Sequence, residues 1–197
     1  MLDALETPST DRRPGIAIVA WDRGFRAWDP FDSASGQTWH PRGARAITIT
    51  PADTDDLPAT LAKALVGQSL SAILLVGRSN ASGTIHIQTR AENRVPGSLD
   101  RDDPLAAGVV RATLSTAEIL RDLTHEGLSA RAVSEAENDA GSHLLFRILS
   151  HLPDQGATPP IGLVRLPRDM GPLQVNQAIR TIASTVSRHL PSLPASA

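Results

Sequence analysis

The chain has 197 residues, of which 41% are hydrophobic and 20% are charged. This composition is ordinary for one globular domain and excludes a largely disordered or fibrous chain. The formal net charge of -2 at pH 7 provides no positive field for nucleic acid or for an anionic membrane, so we expect neither partner. The absence of cysteine excludes disulfides, thiolate metal sites and a thiol nucleophile.

The chain also lacks the sequence signals of secretion and membrane insertion. Its first 14 residues are polar and acidic, unlike a signal peptide, and no apolar run approaches the roughly 18 residues of a membrane span. We therefore expect a cytoplasmic protein. Its expected organisation is a flexible N-terminal segment over 1–14, a single α/β domain over 15–190 and a flexible tail over 191–197.

The first part of the domain alternates strands with a helix. A continuous apolar run predicts a buried strand at 16–20, and a long loop over 21–40 follows it. An alternating run predicts a strand at 46–50, and apolar residues at helical spacing predict a helix at 53–66. The most apolar run of the chain then predicts a buried strand at 71–77.

The second part continues the alternation. Ser115 and Glu118 have the spacing of a capping box at the start of a helix, which Gly127 ends. The predicted strands of this part are 84–88, 130–134 and 161–166, and its predicted helices are 115–127, 142–152 and 175–186. Strands that alternate with helices and are often apolar throughout predict an α/β fold: an open, mostly parallel, twisted sheet with helices on both faces. Sites in such sheets form beyond the carboxyl ends of the strands.

Common catalytic and cofactor motifs are absent from the sequence. It contains no glycine-rich phosphate loop, no GxSxG elbow and no HExxH pair. The six histidines are scattered. We therefore expect no cofactor and no metal ion.

Several stretches between residues 70 and 186 occur in an order that is characteristic of one family. They are Val76-Gly77-Arg78, Ile85 to Asn93, Arg94-Val95-Pro96, Asp102-Asp103-Pro104-Leu105, Thr113-Leu114-Ser115, Gly127 to Ala130, Ala136 to Phe146 and Gly162 to Pro167. Together they resemble the pyroglutamyl peptidase, or pyrrolidone-carboxylate peptidase, family. That resemblance implies an α/β fold that removes N-terminal pyroglutamate by cysteine chemistry.

The resemblance places the family's catalytic glutamate, cysteine and histidine on Gln88, Gly141 and Arg165, and a shift of one residue places the cysteine on Ser142. Neither register supplies a thiolate, and arginine cannot accept a proton near neutral pH. The resemblance therefore predicts a divergent relative that has lost the peptidase, a pseudoenzyme with a binding or assembly role. It also implies a homo-oligomer, or pairing with an active relative.

Three interpretations of these positions remain open. In the first, Gln88, Ser142 and Arg165 are ordinary structural residues. In the second, the site that these positions would form binds a small anion or carboxylate through Arg165 and the backbone amides of a helix start. The candidate ligand-binding residues are Arg165, Gly141, Ser142, His143, Gln88, Phe25 and Phe31. In the third, a hydrolase of altered mechanism uses Ser142 as nucleophile, with His143, Glu137 or Asp139 as its base. Adjacent helical residues project about 100° apart, which makes His143 a poor base.

One alternative concerns Arg165 alone. The side chain could turn outward and pair with Asp139 as a solvated surface ion pair, in which case it would hold no ligand.

Overall fold

The computed structural model describes residues 11–22, 28–32, 35–49, 57–67, 69–96, 102, 108–152 and 158–190. Its strands are β1 (Gly15–Ala20), β2 (Phe31–Asp32), β3 (Gln37–Thr38), β4 (Arg45–Ile49), β5 (Ala72–Arg78), β6 (Ile85–Gln88), β7 (Arg90–Glu92), β8 (Val109–Arg111), β9 (Ala130–Val133) and β10 (Ile161–Leu166). Its helices are α1 (Leu57–Val66), α2 (Thr116–His125), α3 (Ala140–Ser150) and α4 (Pro172–Ser187). Phe25, the first turn of the predicted helix at 53–66, and the terminal segments 1–10 and 191–197 lie outside the described residues.

Six strands form the central sheet, in the order β4-β1-β5-β10-β6-β9. The first four run parallel, β6 is antiparallel to β10, and β9 is parallel to β6. The predicted mostly parallel α/β sheet is therefore confirmed. Because β6 and β9 run opposite to the others, their carboxyl ends point away from the edge where β1, β5 and β10 end.

The sheet carries a hydrophobic layer on each face. On one face, Ile18, Leu74 and Val164 pack against α2 and α4. On the other face, Leu75 and Leu163 pack against α1 and α3. The central strands are apolar throughout because both of their faces are covered. None of the helices within the described ranges is long and apolar enough to cross a membrane.

Several local features differ from the sequence prediction. Two short antiparallel pairs, β2 with β3 and β7 with β8, lie in segments predicted as loops or left unassigned. Ser115 is the N-cap residue of α2, as predicted, but its side chain makes no capping hydrogen bond. Helix α3 begins at Ala140, two residues earlier than predicted, because the Asp139 carboxylate accepts a hydrogen bond from the Ser142 backbone N–H at 2.8 Å and so caps it.

Candidate functional site

The positions that resemble the family's triad meet at one corner of the molecule. Strands β6 and β10 pair with Leu163 opposite Gln88 and with Arg165 opposite His86. Since Val164 and Leu166 pack on the other face of the sheet, alternation along the strand directs Arg165 toward α3. Gly141 and Ser142 form the first turn of that helix. The corner therefore combines the second half of β10, the last residue of β6, which lies opposite the middle of β10, and the N-terminus of α3.

Arg165 is the centre of the corner, and its side chain is only 1% exposed. One terminal nitrogen, Nη1, donates to Gln88 Oε1. The other, Nη2, lies 2.7 Å and 2.8 Å from the two carboxylate oxygens of Asp139 and 2.9 Å from Ser142 Oγ. A buried cation is strongly destabilising unless it is paired and hydrogen-bonded. These contacts explain how an otherwise apolar strand accommodates an arginine.

Two carboxylates of the segment before α3 offset the charge of Arg165. Asp139 caps α3 and pairs with the guanidinium through the same carboxylate. Glu137 Oε1 lies 3.3 Å from Arg165 Nε, an ionic contact that is not aligned as a hydrogen bond. The alternative interpretation of Arg165 was a solvated surface pair with Asp139; the pair is present, but the arginine is buried rather than turned into solvent.

The Trp21 indole fills the space beside Gly141. The backbone N–H of Trp21, just after β1, donates to Val76 O at 3.1 Å. A Cβ atom on Gly77 would lie 2.3 Å from the ring, and one on Gly141 would lie 2.7 Å from it. Both glycines are therefore required by the close approach of the ring. The Arg165 guanidinium carbon lies 5.5 Å from the ring centroid, at cation–π distance.

Ser142 Oγ is surrounded by an amide and a guanidinium. It lies 3.2 Å from Gln88 Nε2, 3.3 Å from Gln88 Oε1 and 2.9 Å from Arg165 Nη2. His143 Nε2 instead lies 3.3 Å from Asp102 Oδ2. Within the described part of the chain, no hydrogen bond joins the serine hydroxyl to a histidine or a carboxylate. The arrangement therefore presents no general base to Ser142.

His86 lies opposite Arg165 on the neighbouring strand β6 and is surrounded by positive charge. Its side chain is buried and accepts a hydrogen bond at Nε2 from Arg131 Nε, at 3.0 Å. Burial, followed by the charges of Arg131 and Arg165, lowers the pKa of His86. The imidazole is therefore held in its neutral form, in which Nε2 can accept.

Little free space remains at the corner. A cavity of about 10 Å³ lies between the segment 136–139 and the start of α3, close to the minimum that one water molecule needs. A groove of about 780 Å³ lies elsewhere, along α2 and α4, and Phe31 lines it. Phe31 was predicted from the sequence as a candidate ligand-binding residue, but it lines this groove and not the Arg165 corner. The described residues contain no group of three or more histidines or acids placed to hold a metal ion.

Comparison with known proteins identifies the fold. No protein-family model and no curated protein matches the chain. A variant of pyrrolidone carboxyl peptidase from the hyperthermophile Pyrococcus furiosus matches with a TM-score of 0.72 and 14% identity, over 90% of this chain and 100% of that one. Pyroglutamyl peptidase I from Bacillus amyloliquefaciens matches with a TM-score of 0.67 and 16% identity, over 89% and 98%.

The molecule is thus an α/β protein with a closed polar corner at the end of its central strands. Its fold is pyroglutamyl-peptidase-like, as the sequence resemblance predicted. Hydrogen bonds join Gln88, Ser142 and Arg165, and Gly141 lies beside them in the first turn of α3. Sequence reasoning missed Trp21, although glycines at 77 and 141 were a signal of close approach.

Proposed function

We propose that this chain is a non-catalytic pyroglutamyl-peptidase-like protein that binds a small carboxylate or other anion at Arg165. The observation that carries the proposal is the buried guanidinium among Gln88, Ser142 and Asp139. An arginine held beside the N–H groups of a helix start is a donor set suited to an anion. Cytoplasmic localisation, and assembly with itself or with an active relative, belong to the same proposal.

The chemistry of the corner supports the absence of peptidase activity. Cysteine peptidases need a thiolate, a base that takes its proton and a group that orients the base. The whole chain has no cysteine. Arg165 cannot act as a base near neutral pH, and the Gln88 amide has no charge to hold an imidazolium.

A fluorogenic pyroglutamyl amide tests this part of the proposal. We expect no turnover above a buffer blank, with an active pyrrolidone carboxyl peptidase as the positive control. Turnover that survives repurification would overturn it. If such turnover were abolished by Ser142→Ala but retained by Ser150→Ala, which removes an exposed hydroxyl at the other end of α3, the protein would be a serine hydrolase.

A further inference from the structure

The Asp139 carboxylate occupies Arg165 in a geometry that leaves the arginine imperfectly paired. Both carboxylate oxygens approach the same nitrogen, Nη2. The Nε–H has no hydrogen-bond acceptor among the described residues, although its atom is buried. The preferred pairing of arginine with a carboxylate uses two nitrogens and two parallel N–H···O bonds. Asp139 cannot adopt this two-nitrogen pairing because its carboxylate also accepts the hydrogen bond from the Ser142 N–H that caps α3.

We propose that Asp139 is an internal competitor for the anion site, and that a small ligand carboxylate binds Arg165 by displacing it. This inference rests on the proposed function, namely that Arg165 binds a carboxylate. A free carboxylate is not tethered to the chain, so it can use Nε and Nη2 together once the segment that carries Asp139 and Glu137 has shifted away from Arg165. It can also accept the Ser142 N–H that Asp139 releases, which keeps the start of α3 capped.

The segment 134–139 is the part of the chain that has to move. It lies between β9 and α3, forms neither helix nor strand, and carries both Glu137 and Asp139. The cavity beneath it is only about 10 Å³, so a ligand larger than water enters only when the segment shifts. Helix α3 remains anchored during this movement because Leu145 and Phe146 pack in the core. The ligands that fit this exchange are small monocarboxylates.

Asp139→Asn removes the negative charge that competes for Arg165 but keeps a side chain that can cap α3. Asparagine caps helices as well as aspartate does, so α3 keeps its first turn while Arg165 loses its main internal carboxylate. The matched control is Glu135→Gln, which removes one negative charge from the same segment at an exposed residue. Circular dichroism and thermal unfolding verify that each variant is folded.

Isothermal titration with acetate, pyroglutamate and phosphate measures the exchange. A site that is free in only a small fraction of molecules binds with an affinity reduced by that fraction, so Asp139→Asn should tighten carboxylate binding by about tenfold or more. Glu135→Gln should bind as the parent does. Adding Arg165→Lys to Asp139→Asn should abolish the gain, because lysine keeps the charge but lacks the fork.

Hydrogen exchange provides a second measurement. Saturating acetate or pyroglutamate should speed amide exchange in 134–139 of the parent protein, since the ligand releases that segment. If the parent and Asp139→Asn bound carboxylate with equal affinity, or if amide exchange in 134–139 were unchanged at saturation, Asp139 would not be a competitor, although carboxylate binding itself would stand. No carboxylate binding by any variant at millimolar concentrations would instead overturn the proposed function, and with it this inference. Tightening for phosphate alone would also overturn it, because the internal occupant is a carboxylate.

Discussion

Gly141→Ala tests whether the Trp21 indole lies against the start of α3. A Cβ atom at residue 141 would lie 2.7 Å from Trp21 Cε2 and 2.8 Å from Cδ2. The ring cannot simply move away, because Gly77 faces it with comparable closeness. The added methyl group must therefore displace either the indole or the first turn of α3, and we expect the variant to be less stable than the parent.

Two opposing effects set the magnitude. Replacing glycine by alanine within a helix stabilises by about 0.5–1 kcal/mol where there is room. Overpacking a closely packed position costs about 1–3 kcal/mol. The overpacking effect is the larger of the two, so Gly141→Ala should lower the free energy of unfolding by about 1 kcal/mol, within the range of roughly 0–2.5 kcal/mol that the two effects allow.

Urea unfolding of a double-mutant cycle isolates the contact. In a Trp21→Ala background the clash is gone, so Gly141→Ala should become neutral or stabilising, with a coupling energy of about 1 kcal/mol or more. Gly108→Ala is the control, since a Cβ there would meet nothing within 4 Å. If Gly141→Ala stabilised the parent as much as it stabilised the Trp21→Ala variant, the placement of the indole would be wrong.

Two further predictions concern the core and pH. Leu74 is 1% exposed in the central strand β5, so Leu74→Ala should lower the free energy of unfolding in urea by about 2–5 kcal/mol. Leu173 is 85% exposed, and Leu173→Ala should be about as stable as the parent. Equal stabilities of the two variants would contradict the placement of Leu74 in the core. Because the pKa of His86 is lowered from 6.5 in the folded protein, the unfolded chain binds its proton first, and stability should fall as pH drops through about 6.5. In His86→Gln the free energy of unfolding should fall less steeply over this pH range. Parallel pH profiles of stability for parent and variant would refute the role of His86.

The central strands could be predicted from the sequence because they are covered on both faces. The segments 16–20, 71–77 and 161–166 are nearly continuous apolar runs, and they became the adjacent strands β1, β5 and β10. Strand direction was not predictable in the same way. Alternation of apolar residues specifies which face is buried, but it is the same for a strand run in either direction. The reversal of β6 and β9 therefore has no local signal.

The candidate site was predictable only in part. An arginine within the apolar run 161–166 indicates a buried cation that needs partners, and the resemblance pointed to Gln88 and Ser142. Asp139 is the main partner of Arg165 because of where α3 starts, and the start of α3 is set by the Asp139 carboxylate, which caps it. The tight space around Trp21 depends on how β1 ends against β5 and α3, which is a tertiary feature.

The amide at residue 88 and the guanidinium at residue 165 form a matched pair. Gln88 accepts from Arg165 through Oε1 and donates to Arg90 O through Nε2, at 2.7 Å. A glutamate there could not make the second hydrogen bond, and it would add a third carboxylate beside Asp139 and Glu137 around one cation. A histidine at 165 in place of arginine would leave those two acids without their permanent positive partner. Changing either residue alone therefore leaves the other mispaired, and the effects of such changes should be strongly non-additive.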